Sequence, residues 1–172
     1  MKLLVAGATG ALGKQLIPKL VARGHEVVGT TRSESKREAI YDLGATPAVV
    51  DALNAEQVAR VVAEAEPDVI VHELTALSGD LDMRHFERTF AETNRLRTEA
   101  TDHLLAAGRA VGVKRFVAQS YAGWPAERTG GPVKNEDDPL DHTPPESVRS
   151  TLEAILYLEI RGATGGDRKS VV

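Results

Sequence analysis

Three glycines, Gly7, Gly10 and Gly13, fall at intervals of three in VAGATGALGKQL, where an apolar run gives way to a helical pattern. Two readings fit such a triplet. One is a tight structural turn. The other is a loop whose main chain comes close to a phosphate, because glycine accepts positive φ and has no Cβ to hold an anion away. In that second reading the free amides of the following helix, starting at Ala11 and Leu12, offer the positive end of its dipole to a pyrophosphate. Thr9 adds a hydroxyl.

A second cluster is GTTRS, Gly29 to Ser33. A dinucleotide fold that selects a free ribose would place a carboxylate there. Arg32 and Ser33 stand there instead, with Lys36 and Arg37 close behind, and can make charge-assisted hydrogen bonds to a 2′-phosphate. The cluster favours NADP over NAD as cofactor. The plain alternative is that Arg32 is an exposed arginine at a helix start.

Other chemistry is thin. The five histidines are scattered, HELTAL is not the HExxH of zinc proteases, and there is no cysteine to ligate a metal, act as nucleophile or form a disulfide. No Ser–His–Asp arrangement stands out. The acidic run Glu136 to Asp141 reads as a solvated loop.

These residues need a scaffold, and the hydropathy pattern supplies one. Short apolar runs at Lys2–Ala6, Glu26–Gly29, Ala48–Val50, Val69–Val71 and Arg115–Ala118 read as strands. Helical patterns alternate with them at Ala11–Ala22, Ser33–Leu43, Asn54–Ala65, Met83–Val111 and Ser147–Ile160. Asn54 is placed to cap the third helix, and Pro18 is a mild objection to the first. Gly123 to Pro145 collects prolines and turn formers and reads as a long loop. Strand–helix alternation with apolar strands predicts a parallel sheet covered by helices on both faces. The glycine triplet then sits between the first strand and first helix, beyond the carboxyl ends of the strands, where open sheets bind ligands. That address favours dinucleotide binding over a closed turn.

With 172 residues and 42% hydrophobic content, the chain suits one globular domain with its own core. A net charge of −4 with interleaved signs argues against nucleic acid and against a polybasic membrane patch. No apolar run approaches the roughly 20 residues that span a bilayer, and LLVA is too short for a signal peptide. The expectation is a soluble, cytoplasmic protein.

In order along the chain, these motifs resemble the NAD(P)-dependent epimerase/dehydratase family of the extended short-chain dehydrogenase/reductase superfamily. GATGALG is similar to that family's GxxGxxG. Asp51 and Ala52 in VVDAL resemble the segment whose acidic residue contacts the adenine amino group. VIVHELTAL, with Leu74 and Thr75, resembles the stretch whose backbone passes the nicotinamide ribose. VKRFVAQS is similar to the fifth strand leading to a serine-rich active-site turn. The resemblance runs from Met1 to about Ile160. It implies a three-layer, Rossmann-like sandwich with about five parallel strands, an NAD(P) cofactor and a small carbonyl or sugar-nucleotide substrate.

The resemblance also implies hydride transfer assisted by a tyrosine and a lysine four residues later. A nearby cation lowers the phenol from about pH 10 toward working pH. Registering STLEA on the family's SKLAAE puts Ser147 at the tyrosine and Thr151 at the lysine, and neither can replace it. Arg149 is nearby at the wrong spacing. Ser120 and Tyr121 are the substitute candidates, Tyr121 as proton donor. The competing reading packs Tyr121 beneath the loop that carries Trp124. Lys134 is a more distant candidate. The family's helix asparagine registers on Arg97, one turn beyond Asn94. His72 matches a position where histidine packs and bonds main chain.

Family members continue for a hundred or more residues. The expectation is therefore a nucleotide-binding domain at 1–161 and a polar tail at 162–172, with the C-terminal substrate subdomain lacking and a fifth-strand edge that a second copy could cover. An oxidoreductase and a non-catalytic NADP-binding module or redox sensor both stay open.

Overall fold

In the computed structural model the described residues are 1–77, 82–121, 127, 129–131, 133–135, 138–139, 141 and 143–164. Five strands, β1 (Lys2–Ala6), β2 (Glu26–Thr31), β3 (Thr46–Val49), β4 (Val69–His72) and β5 (Arg115–Ala118), form one sheet in the order β3-β2-β1-β4-β5. Every pairing is parallel, with Leu3 opposite both Val27 and Val69. The central strand β1 is buried on both faces, which is why KLLVA shows no polar alternation.

The helices are α1 (Ala11–Ala22), α2 (Arg37–Tyr41), α3 (Ala55–Ala65), α4 (Phe86–Arg95), α5 (Thr101–Val111) and α6 (Glu146–Thr164). One apolar cluster joins Leu3, Val5, Val27 and Val71 to Ile17 and Ile40, on the α1–α2 face. The other joins Leu4, Ile70 and Phe116 to Val58, Val62, Leu104 and Leu158, on the face of α3, α5 and α6. The expected three-layer Rossmann-like sandwich is therefore present.

Several boundaries differ from the periodicity. Helix α1 carries the exposed Pro18 and still runs to Ala22, so the loss of one amide donor does not end it. The polar segment expected as one helix from Ser33 shortens to a 3₁₀ turn at Glu34–Lys36 followed by α2. The helix expected over 83–111 opens with a 3₁₀ turn and is interrupted by a π-helical turn at Leu96–Ala100. Hydroxyls loosen it there: Thr98 Oγ1 donates to the Asn94 carbonyl at 3.0 Å and Thr101 Oγ1 to the Arg97 carbonyl at 2.7 Å. Asn54 caps α3 as expected, accepting from the Gln57 amide at 3.0 Å.

Among the described residues, no helix is long and apolar enough to cross a membrane.

Candidate functional site

Because the strands are parallel, their carboxyl ends line one edge, and the β1–α1 crossover lies where strand order reverses between β1 and β4. Gly7 takes φ +97°, and a Cβ there would stand 2.7 Å from the Glu73 carbonyl oxygen. A Cβ on Gly13 would stand 2.5 Å from the Gly7 oxygen and 2.7 Å from that of Ala8. Both glycines answer to internal packing. Gly10 is different: it is exposed, and its Cβ would meet only the Gly7 oxygen, at 3.2 Å. Its missing side chain leaves the outer face of the loop bare.

The amides divide in the same way. Gly7 and Ala8 donate to Thr30 Oγ1 (3.4 Å) and to the Thr30 carbonyl (3.1 Å), and Gly10 donates to the Gly7 carbonyl (3.0 Å). No side chain caps α1 at Gly10. The first-turn amides of Ala11, Leu12 and Gly13 have no carbonyl one turn back within the helix. Three uncapped donors and a glycine face without a Cβ fit a pyrophosphate. The loop is thus a tight turn on its inner side and an open cradle on its outer side, with Thr9 half-buried beside it.

At the end of β2, Ser33 donates its amide to Thr31 Oγ1 at 3.2 Å. Arg32 forms an ion pair with Glu92 of α4, and both side chains stay largely in solvent. Arg37 pairs instead with Glu34. Asp51 is exposed, and its Oδ1 accepts from the Leu53 amide at 3.0 Å. The buried Ala52 offers its carbonyl to His103 Nδ1 at 3.0 Å.

Beyond β4, the Leu74 amide donates to His72 Nδ1 at 3.2 Å, while Thr75 is exposed. With Nδ1 accepting, Nε2 carries the proton toward the Leu96 carbonyl (3.2 Å) and Thr101 Oγ1 (3.1 Å). Burial pushes this ring down to about 4, against the Leu96 bond and with help from the Arg97 charge, so His72 is neutral at pH 7. It is the packing, main-chain-bonding histidine expected from the sequence. The next residue, Glu73, is held above the usual carboxylate range by burial.

Beyond β5 the picture changes. Ser120 donates its hydroxyl to Glu159 of α6, and Tyr121 is 40% exposed. Ser147 and Arg149 are exposed on the first turns of α6. Thr151 is fully buried and accepts from Asn94 Nδ2 at 3.0 Å. Asn94 therefore meets the residue at the lysine register directly, and Arg97 is buried on the π-helical turn. Lys134 is occupied within its own loop by the Thr129 carbonyl and, at 3.8 Å, by Asp138. Trp124, residues 136, 137 and 140 of the acidic run, and the tail from 165 lie outside the described residues. Among the described residues no acidic, histidine or cysteine cluster could hold a metal.

Sequence reasoning missed Glu92 and Glu159. They meet Arg32 and Ser120 across 60 and 39 residues of chain, and no local pattern marks such pairs.

Comparison with known proteins agrees with this geometry. A family described as NAD(P)H-binding matches residues 7–154. A 3-diazoavenalumate denitrifying reductase from Streptomyces sp is 43% identical over 160 residues, which is 92% of this chain and 50% of that protein. A 3-beta-hydroxysteroid dehydrogenase from Mycolicibacterium neoaurum is 32% identical over 147 residues, 83% of this chain and 37% of that protein. Among solved structures, the UDP-glucose 4-epimerase of Thermus thermophilus in complex with NAD is 26% identical with a TM-score of 0.71, covering 94% of this chain and 51% of that one. A Bordetella bronchiseptica enzyme in complex with NAD and UDP reaches a TM-score of 0.73 at 20% identity, covering 99% of this chain and 51% of that one, and shares the fold. The chain spans half or less of the length of these curated relatives.

Proposed function

This chain belongs to the NAD(P)H-binding family, and from that premise we propose that it is the cofactor-binding domain, residues 1–161, of an NADPH-dependent reductase acting on a small electrophilic substrate such as a carbonyl compound or sugar nucleotide. The observation that carries the reading is the cradle: the uncapped amides of Ala11, Leu12 and Gly13 beside the bare face of Gly10. Gly7, Thr9, Gly10, Ala11, Leu12 and Gly13 would hold the pyrophosphate. Asp51 and Ala52 would flank the adenine, and Leu74 and Thr75 the nicotinamide ribose. Arg32 and Ser33 would take the 2′-phosphate, with Arg32 exchanging Glu92 for a doubly charged group. That exchange is cheap, because an exposed ion pair contributes only about 0–1 kcal/mol.

A bound reduced nicotinamide would supply the hydride. The chain's own part would be to orient the substrate and exclude water, with the Ser120 hydroxyl and the Tyr121 phenol after β5 as the candidates to hold its oxygen and donate a proton. A cysteine-free chain suits a cytoplasmic setting.

The test is a titration of the chain with NADPH and with NADH, repeated on Arg32→Ala. A lost charge-assisted contact is worth about 1.5–3 kcal/mol, so NADPH affinity should fall about tenfold to a hundredfold while NADH affinity changes little. Equal loss of both, or no binding by the parent chain, overturns the assignment. A second reading, a non-catalytic NADP-binding module, is favoured by Ser147 and Thr151 at the family's tyrosine and lysine positions. NADPH binding without oxidation over a carbonyl panel would support it.

A further inference from the structure

Arg97 presents a problem that neither the fold nor the cradle solves. Its side chain is 6% exposed, and Nη1 is buried with no hydrogen-bond partner. Among the described residues, no carboxylate stands within ion-pair distance of it. The ring beside it, His72, is neutral and already committed to Leu96, Thr101 and Leu74. Nor can the guanidinium escape by losing its proton. Burial lowers its affinity for that proton, and the Tyr121 phenol works the other way, which places Tyr121 within its electrostatic reach. An isolated buried cation is strongly unfavourable unless an anion answers it.

The location says which anion. Arg97 lies on a π-helical turn, an irregularity often found at functional sites. That turn packs against the carboxyl end of β4 through His72, and Tyr121 follows the adjacent β5. Five residues earlier on the same helical run Glu92 holds Arg32 in solvent, so a 2′-phosphate has its own, exposed cation. The pyrophosphate already has its donors at α1. What remains at this end is the substrate.

We propose that Arg97 is the substrate-anchoring residue, its guanidinium fork pairing with an oxyanion of the substrate, a carboxylate or a phosphate, beyond the ends of β4 and β5. A planar fork matches two oxygens of either group. The proposal deepens the reductase reading and rests on it for the cofactor alongside.

The experiment uses the full 172-residue chain, with and without saturating NADPH, and calorimetric titration of two matched pairs. The pairs are 4-hydroxycinnamate against its methyl ester, and uridine diphosphate against uridine; they separate the carboxylate source from the phosphate source. In one pair the anion should bind at least tenfold tighter than its neutral partner. Arg97→Met should erase that preference, and Arg97→Lys, which keeps charge but loses the fork, should cut it to about threefold. Arg97→Met should also raise the Tm of the ligand-free chain, since an unanswered charge is removed; a residue serving only structure would lower it. No preference in either pair, a preference that survives Arg97→Met, or a fall in ligand-free Tm overturns the proposal. If Arg97→Met does not fold, Arg97→Lys decides alone: an undiminished preference overturns the proposal. The NADPH isotherm is read separately. An Arg97-dependent preference without NADPH binding removes the cofactor reading and keeps this one, and NADPH binding without a preference does the reverse.

Discussion

The two ends of the strand edge are built on opposite principles. Around β1 and α1 the site is main chain: glycines, uncapped amides and a helix dipole, all within residues 7–13. Around β4, β5 and α6 it is side chains brought from afar, with Asn94 on Thr151, Ser120 on Glu159, and Arg97 Nη1 buried without a hydrogen-bond partner among the described residues. The first end can hold the part of a ligand common to every dinucleotide. The second offers side chains that substrate selection can use, and Ser147 and Thr151 stand where the resemblance would put a tyrosine and a lysine. Shared backbone chemistry at one end and divergent side-chain chemistry at the other lets one fold serve many reactions.

The sharpest break in that comparison separates two neighbouring glycines. A Cβ at Gly13 would sit 2.5 Å from a main-chain oxygen that cannot swing aside. Gly13→Ala should therefore cost about 3 kcal/mol of stability and abolish NADPH binding. Gly10→Val, at the N-cap of α1 with one oxygen 3.2 Å from its Cβ, should cost only about 1 kcal/mol and still weaken NADPH at least tenfold. Parallel denaturation and titration curves check both, and a Gly10→Val chain that binds like the parent would rule the cradle out as the phosphate site.

At the other end, His72 makes the stability depend on pH. Its folded pKa of about 4 lies below the ordinary value of 6.5. The unfolded chain therefore binds the proton more readily between those values. The stabilisation is complete above pH 6.5 and drains away as pH falls toward 4, by up to about 3 kcal/mol. Urea midpoints across that range should slope for the parent and flatten in His72→Gln. The same slope in both would assign the pH dependence to other groups.

The smallest effect tests the bridge between the two ends. Glu92 of α4 holds Arg32, an exposed pair, so Glu92→Gln should release the arginine and tighten NADPH by no more than about fivefold, the equivalent of about 1 kcal/mol. NADH affinity should not move. Weaker NADPH binding would instead mean that Glu92 helps to position Arg32.

The order of legibility follows the same division. KLLVA, its alternation with helical patterns, the Asn54 cap and the glycine triplet were all readable, because a strand, a cap and a turn are set by neighbours within a few residues. The glycine question had two halves: Gly7 and Gly13 serve the fold, and Gly10 leaves the surface open. Spacing alone could not separate them, because the answer lies in the distance from each absent Cβ to the chain around it. The π-helical turn was hidden for a related reason, since Thr98 and Thr101 read as ordinary helix residues until their hydroxyls find carbonyls.

Sequence alone therefore determined the layered sheet and the place of the glycine triplet between β1 and α1, since each depends on residue type at short range. Only the tertiary structure decided that Arg32 rests on Glu92, that Ser120 leans on α6, and that Arg97 is buried with no ion pair among the described residues. Electrostatic pairing depends on distance through space, and dozens of residues of intervening chain carry no trace of it.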